Sequence, residues 1–190
     1  VMDQELYNIE NDPGQENDVS QQHPDIVKAM RDHYQKWKKN TLPAYNKKRY
    51  IHLGNENQNP LMLYSSDWQG SYADNKGNLF AGDRIGYWEV IVDTPGNYEF
   101  TLSRWHPAAG IPLDGTMKDR NGNDRGAIPV AQARLRIGDY DQAVPTGPDQ
   151  SAVKFSVPLT QGVHKIETWL MDQDGNELCS AYYTNTELIK

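Results

Sequence analysis

The stretch Gly86-Tyr87-Trp88-Glu89-Val90-Ile91-Val92, followed by Thr94-Pro95-Gly96-Asn97 and then Tyr98-Glu99-Phe100-Thr101-Leu102-Ser103, decides the fold. Its first part places Trp88, Val90 and Val92 on one face and Tyr87 and Ile91 on the other, apolar on both sides as a central strand is. Adjacent Pro95 and Gly96 then supply a turn. Beyond the turn, Tyr98, Phe100 and Leu102 alternate with Glu99, Thr101 and Ser103, the period of a strand with one wet face.

The same period continues outward in both directions. Upstream lie Tyr50-Ile51-His52-Leu53 and Leu61-Met62-Leu63-Tyr64. Downstream, Ala133, Leu135 and Ile137 alternate with Arg134 and Arg136, and Val153, Phe155, Val157 and Leu159 alternate with Lys154 and Ser156. Gln161-Gly162 turns into Val163 to Met171, and Asp174-Gly175 turns into Leu178 to Thr184. About eight short strands with frequent turn signals predict a mainly-β fold, an antiparallel β-sandwich with a jelly-roll-like arrangement. Residues 106–129 show no period and read as a long loop, a length at which loops are functional or mobile.

One amphipathic helix precedes the strands. Ile26, Met30, Tyr34 and Trp37 recur at helical spacing with Val27 beside them, predicting a helix from Pro24 to Lys38. Pro24 suits its first turn, with Asp25 near the positive end and Lys36, Lys38 and Lys39 near the negative end. Asn40-Thr41-Leu42-Pro43 is expected to end it, and residues 40–48 read as a linker. The expected division is therefore 1–45, a strand, loop and helix, and 46–190, the sandwich. The stripe of the helix is expected to be buried against the sandwich.

Composition narrows the function. Over 190 residues, 37% hydrophobic and 10% aromatic content supports a core, while 15 Gly and 11 Pro fit many turns. A net charge of −7, with no basic stretch beyond Lys47-Lys48-Arg49, argues against nucleic-acid binding. One cysteine excludes an internal disulfide framework. No apolar run approaches a membrane span.

Glu5-Leu6-Tyr7-Asn8-Ile9, then Asn11-Asp12-Pro13-Gly14-Gln15-Glu16-Asn17, then the helix ending at Trp37 closely resemble the last strand, loop and helix of sulfatase catalytic domains. Asn8 stands where the family has Asp, and Val19 where Leu is commoner. Tyr98 to Pro107, Ile128 to Gly138, Thr168 to Leu170 and Ala181 to Tyr183 resemble segments of β-rich extensions appended to bacterial sulfatases. The resemblance implies the C-terminal region of a sulfuric ester hydrolase, periplasmic or secreted. Its partner would be a preceding catalytic domain carrying the formylglycine motif Cys- or Ser-x-Pro/Ala-x-Arg, which the coding sequence upstream of Val1 is expected to encode. The family's calcium would belong to that domain, and no cofactor is expected here.

The catalytic motif itself is not in this sequence. Cys179 has Tyr183 four positions on instead of Arg, and no serine opens the motif either. In an apolar run the Cys179 thiol reads as a small buried hydrophobe. No nucleophile in the required context remains, so the chain alone is expected to be non-catalytic. Asp119-Arg120-Asn121-Gly122-Asn123-Asp124 and Asp172-Gln173-Asp174-Gly175-Asn176-Glu177 look superficially like calcium loops but do not complete the twelve-residue pattern. The five His residues show no paired metal-ligand spacing.

Trp68, Arg104, Trp105 and His106 form the candidate ligand patch, expected to bind a sulfated glycan with aromatic stacking beside an Arg fork. The competing expectation is that the tryptophans pack in the core or pin the long loop. Three roles follow: an accessory domain that covers or extends a sulfatase cleft, a carbohydrate-binding module for sulfated or acidic polysaccharide, or an oligomerisation interface.

Overall fold

The computed structural model describes residues 5–189, and they divide into two compact units between Arg49 and Tyr50. Each unit is taken by itself.

In the first, the segment expected as a closing strand is not one. Residues 5–8 are irregular backbone and Ile9 to Asn11 form a turn. Leu6 is held by side-chain and turn bonds instead: its N–H donates to Asp18 Oδ1 at 2.9 Å and its carbonyl accepts from Val19 N–H at 2.8 Å. A short apolar alternation becomes a strand only with a partner strand, and the described residues of this unit offer none. The loop that follows is organised by Asp12, whose carboxylate accepts from the backbone N–H groups of Glu16 and Asn17.

The helix α1 spans Pro24–Tyr45, about two turns beyond the expected end at Lys38. Pro43 therefore lies inside its last turn. A proline there deletes only one ladder bond, and Asn46 N–H still donates to Leu42 O at 2.9 Å to close the end. No residue of α1 is buried. Ile26, Met30, Tyr34, Trp37 and Leu42 are all exposed, so the stripe is not sequestered in a core. Nothing among the described residues of its own unit covers the stripe.

The second unit is built from strands. In chain order it comprises β1 (Ile51–Leu53), β2 (Leu61–Tyr64), β3 (Gln69–Gly70), a short helix α2 (Lys76–Ala81), β4 (Gly86–Val92) and β5 (Gly96–Ser103). There follow a small hairpin, β6 (Met117–Lys118) and β7 (Asp124–Arg125), then β8 (Gln132–Ile137), β9 (Tyr140–Pro145), β10 (Ala152–Leu159), β11 (Gly162–Met171), β12 (Glu177–Cys179) and β13 (Tyr183–Ile189). The larger sheet runs β1-β4-β11-β8-β9, with β3 beside β4 and β12 beside β11; the smaller runs β10-β5-β13-β2. All pairings are antiparallel except β1 with β4.

Their inner faces form one core. Trp88, Val90, Leu135, Ile166 and Leu170 from the larger sheet meet Leu63, Tyr98, Phe100, Leu102 and Phe155 from the smaller. Each such side chain contributes about 1.5–3 kcal/mol on burial, which is what holds two sheets face to face. The fold is mainly β, a β-sandwich as the sequence alternation predicts. The run Leu178 to Thr184 is not one strand. It leaves the larger sheet after Cys179 and re-enters in the smaller at Tyr183. The crossing is held by hydroxyls in place of a ladder: Ser180 Oγ bridges Gly86 N–H and carbonyl, and Ala181 N–H donates to Thr168 Oγ1 at 3.1 Å.

Candidate functional site

Three of the four residues of the candidate patch lie inside the protein. Trp68 follows a short 3-10 turn and is 8% exposed, with its ring 5.7 Å from Trp88 and 5.2 Å from Tyr182. It lies directly over Gly86, where an added Cβ would come within 2.7 Å of the indole. Arg104 is 0% and Trp105 1% exposed. The guanidinium of Arg104 sits 4.6 Å from the Trp105 ring and donates to Leu113 O at 3.3 Å and to Leu79 O at 3.2 Å. Burial is the main influence on its pKa, lowering it, with no carboxylate among the described residues in an ion pair with it.

Arg104 thus ties the long loop and α2 to the end of β5. Gly126, at φ +89°, lets the backbone pass close: a Cβ there would stand 2.8 Å from the Trp105 ring. His106 alone is exposed, and its Nδ1 accepts from Ala108 N–H at 3.2 Å, capping the turn Pro107–Ala109. The faces of Trp68 and Trp105 are therefore not open to a sugar ring, and the patch as drawn from sequence is a loop clamp. The clue was in the alternation: the parity that buries Tyr98, Phe100 and Leu102 also turns Arg104 inward.

Cys179 is fully buried, and burial pushes its thiol up to about 12, so it is protonated throughout the physiological range. Such a thiol is no nucleophile. The two calcium-loop-like segments, with Asn121-Gly122 and Asp174-Gly175, are hairpin turns. In each, the leading Asp (119 or 172) accepts through Oδ1 from backbone N–H groups two and four residues on. Those bonds, first among them Asn123 N–H for Asp119 and the Asn176 side chain for Asp172, hold both carboxyls below the ordinary aspartate range. Among the described residues no three His, Cys, Asp or Glu side chains converge as a metal site.

The outward faces of the two sheets differ in kind. On the larger, Trp169 is roofed by the guanidinium groups of Arg134 and Arg136, each 5.0 Å from its ring. Arg134 forks onto Asp141 at 2.7 and 2.6 Å; Arg136 pairs with Glu167 at 2.7 Å, and Lys165 shares that carboxylate at 2.7 Å. Lys165 also stands 4.1 Å from the Tyr87 ring. Each of these three cations is in contact with a carboxylate, Arg136 and Lys165 sharing Glu167.

The smaller sheet presents a quieter surface. Its register sets Tyr64 beside Tyr183, Met62 beside Asn185 beside Thr101, and Glu187 beside Glu99. Tyr183 meets both Tyr64 and His106 edge to face, with centroids 6.0 and 5.4 Å away. Burial and then neighbouring Tyr64 raise the Tyr183 pKa, so its ring stays a neutral phenol at physiological pH. Sequence reasoning did not single out Tyr64, Tyr183 or Asn185. Alternation places Thr101 outward, but only strand order shows that β13 and β2 lie next to it.

No protein-family model matches the chain, and no curated protein matches it. Among solved structures, a ruminal GH26 endo-β-1,4-mannanase is similar at a TM-score of 0.42 and 11% identity over 75% of this chain. The chain spans 27% of that enzyme's length. A likeness of that size assigns neither family nor activity.

Proposed function

We propose that this chain is a C-terminal accessory region of a periplasmic or secreted sulfatase, non-catalytic by itself, whose partner is the catalytic domain of the same protein. The observation that carries the reading is α1. It is a 22-residue helix with no buried residue, and it presents Ile26, Met30, Tyr34 and Trp37 as one exposed apolar stripe. A stripe of that kind is covered in a working protein. Its place after a Glu5-Leu6-Tyr7 segment and an Asp-Pro loop is where the sulfatase resemblance puts the helix that closes the catalytic domain. The sandwich would then sit beside the cleft, and the buried, protonated Cys179 is consistent with chemistry located elsewhere.

The coding sequence adjoining Val1 tests this. The reading requires several hundred codons there that include Cys- or Ser-x-Pro/Ala-x-Arg, and an open frame without that motif overturns it. A second reading, a carbohydrate-binding module, is favoured by solvent-facing polar groups on the outward face of the smaller sheet that have no protein partner among the described residues.

A further inference from the structure

We infer that the outward face of the smaller sheet is a binding platform for an uncharged polysaccharide, centred on Tyr64, Tyr183 and Asn185 with Thr101 and Glu187 beside them. Among the described residues, the Asn185 amide, the Thr101 hydroxyl, the Glu187 carboxylate and the Tyr64 and Tyr183 phenols have no hydrogen-bond partner. On the larger sheet the corresponding positions are locked to one another in ion pairs. The larger face has spent its polar groups on itself, whereas the smaller, beyond its Lys154–Glu99 and Asn97–Ser156 pairs, keeps this group of them without protein partners.

The chemistry of the free face is that of polyol recognition. Tyr64 is 43% exposed and offers an apolar ring with a polar tip. Tyr183, standing edge to face between Tyr64 and His106, makes a corner against which the C–H face of a sugar ring can rest. Asn185 and Thr101 supply a donor–acceptor amide and a hydroxyl; Glu187 supplies an acceptor. These groups sit on neighbouring strands about 4.8 Å apart and at alternate positions along β13, so the platform extends about 13 Å, the span of a short oligosaccharide. Orientation by a few polar groups beside aromatic rings is how such ligands are held.

Charge selects among glycans. Glu99 is neutralised by Lys154 at 2.7 Å, leaving Glu187 as the uncompensated charge of the platform in a chain of net charge −7. A sulfated or uronate chain meets repulsion there, and a neutral one does not. The site depends on the folded sandwich alone. It stands or falls separately from the sulfatase reading, which is decided by the sequence upstream.

Native affinity electrophoresis of this chain in gels containing galactomannan, xyloglucan or hydroxyethylcellulose tests the platform, with polygalacturonate and carrageenan as polyanionic arms. Retardation by at least one neutral polymer is expected, and by neither polyanion. Tyr64→Ala and Asn185→Ala should each weaken it at least about fivefold while melting as the parent does. Lys165→Ala, on the opposite face, should change nothing. If Tyr64→Ala fails to fold, chemical-shift mapping with a soluble oligosaccharide of the retarding polymer must centre on Tyr64, Tyr183 and Asn185. Retardation by none of the neutral polymers or by polyanions alone, Tyr64→Ala and Asn185→Ala binding as the parent does, or shifts centred elsewhere would overturn the proposal.

Discussion

Arg104 shows how one side chain can read as function in a sequence and act as structure in the fold. Beside Trp105 and His106 it looks like half of an anion site. Placed at the end of β5 it becomes a buried strut whose two guanidinium nitrogens satisfy carbonyls of α2 and of the long loop. Alanine at this position removes both bonds and the stacking on Trp105, and strands two acceptors in the interior. Arg104→Ala should therefore lower the unfolding free energy by about 3 kcal/mol or more, read from urea denaturation. A change below about 1 kcal/mol would mean that the loop is held by other contacts.

At the scale of elements, the alternation in β4, β5, β8, β10 and β11 made each strand legible before any coordinates, because period two is written directly in which residues are apolar. Several elements were not legible, among them the two-residue strands β3, β6 and β7, the last two inside the stretch expected as one long loop. β9 reads Tyr-Asp-Gln-Ala-Val-Pro, an edge strand with little to bury. α2 is only six residues long and depends on the Asn75 side chain accepting from Asn78 N–H. The switch of sheets at Ser180 to Tyr182 rests on hydroxyl bonds to distant residues, which no local pattern encodes. The candidate site fared likewise: parity could have turned Arg104 inward, but the neighbours of Tyr183 follow from long-range pairing.

The helix α1 was legible in existence and not in length, since a proline in the last turn removes one bond without ending the ladder. Its exposure reverses an expectation about energy. A buried Met30 replaced by Asp would cost several kcal/mol, whereas Met30 is 60% exposed. Met30→Asp in this chain should leave the melting temperature of the sandwich unchanged to within about 0.5 kcal/mol of stability. A drop of many degrees in a thermal melt would show that the stripe is sequestered in solution.

For the whole molecule, the outward ion lattice of the larger sheet makes stability depend on acid. The Arg134 fork holds the Asp141 carboxyl below its ordinary range. Burial raises Glu167, but hydrogen bonds from Lys165 and Arg136 outweigh it and leave that carboxyl lowered as well. A folded-state pKa below the unfolded one adds stability that is present above the unfolded value and lost as pH falls through the folded one. Calorimetric melting temperatures should hold steady from pH 7 to about 5 and fall below about 4, where unfolded carboxylates begin to take up protons. Asp141→Asn should flatten part of that fall. A melting temperature indifferent to pH down to about 3 would contradict the assignment.

The way the chain enters and leaves the sandwich also decides how it would yield under tension. It enters through β1, three residues zipped to β4 at the rim of the larger sheet, and leaves through β13, clamped between β5 and β2 in the interior of the smaller. A pull directed along the polypeptide at Tyr50 loads only a three-residue pairing with one neighbour. The same pull at Ile189 must shear a seven-residue strand past two neighbours at once. Used as a tether between an anchored body and a solid substrate, the unit would give first at its entrance, leaving its exit strand, and the tyrosine platform on it, in place.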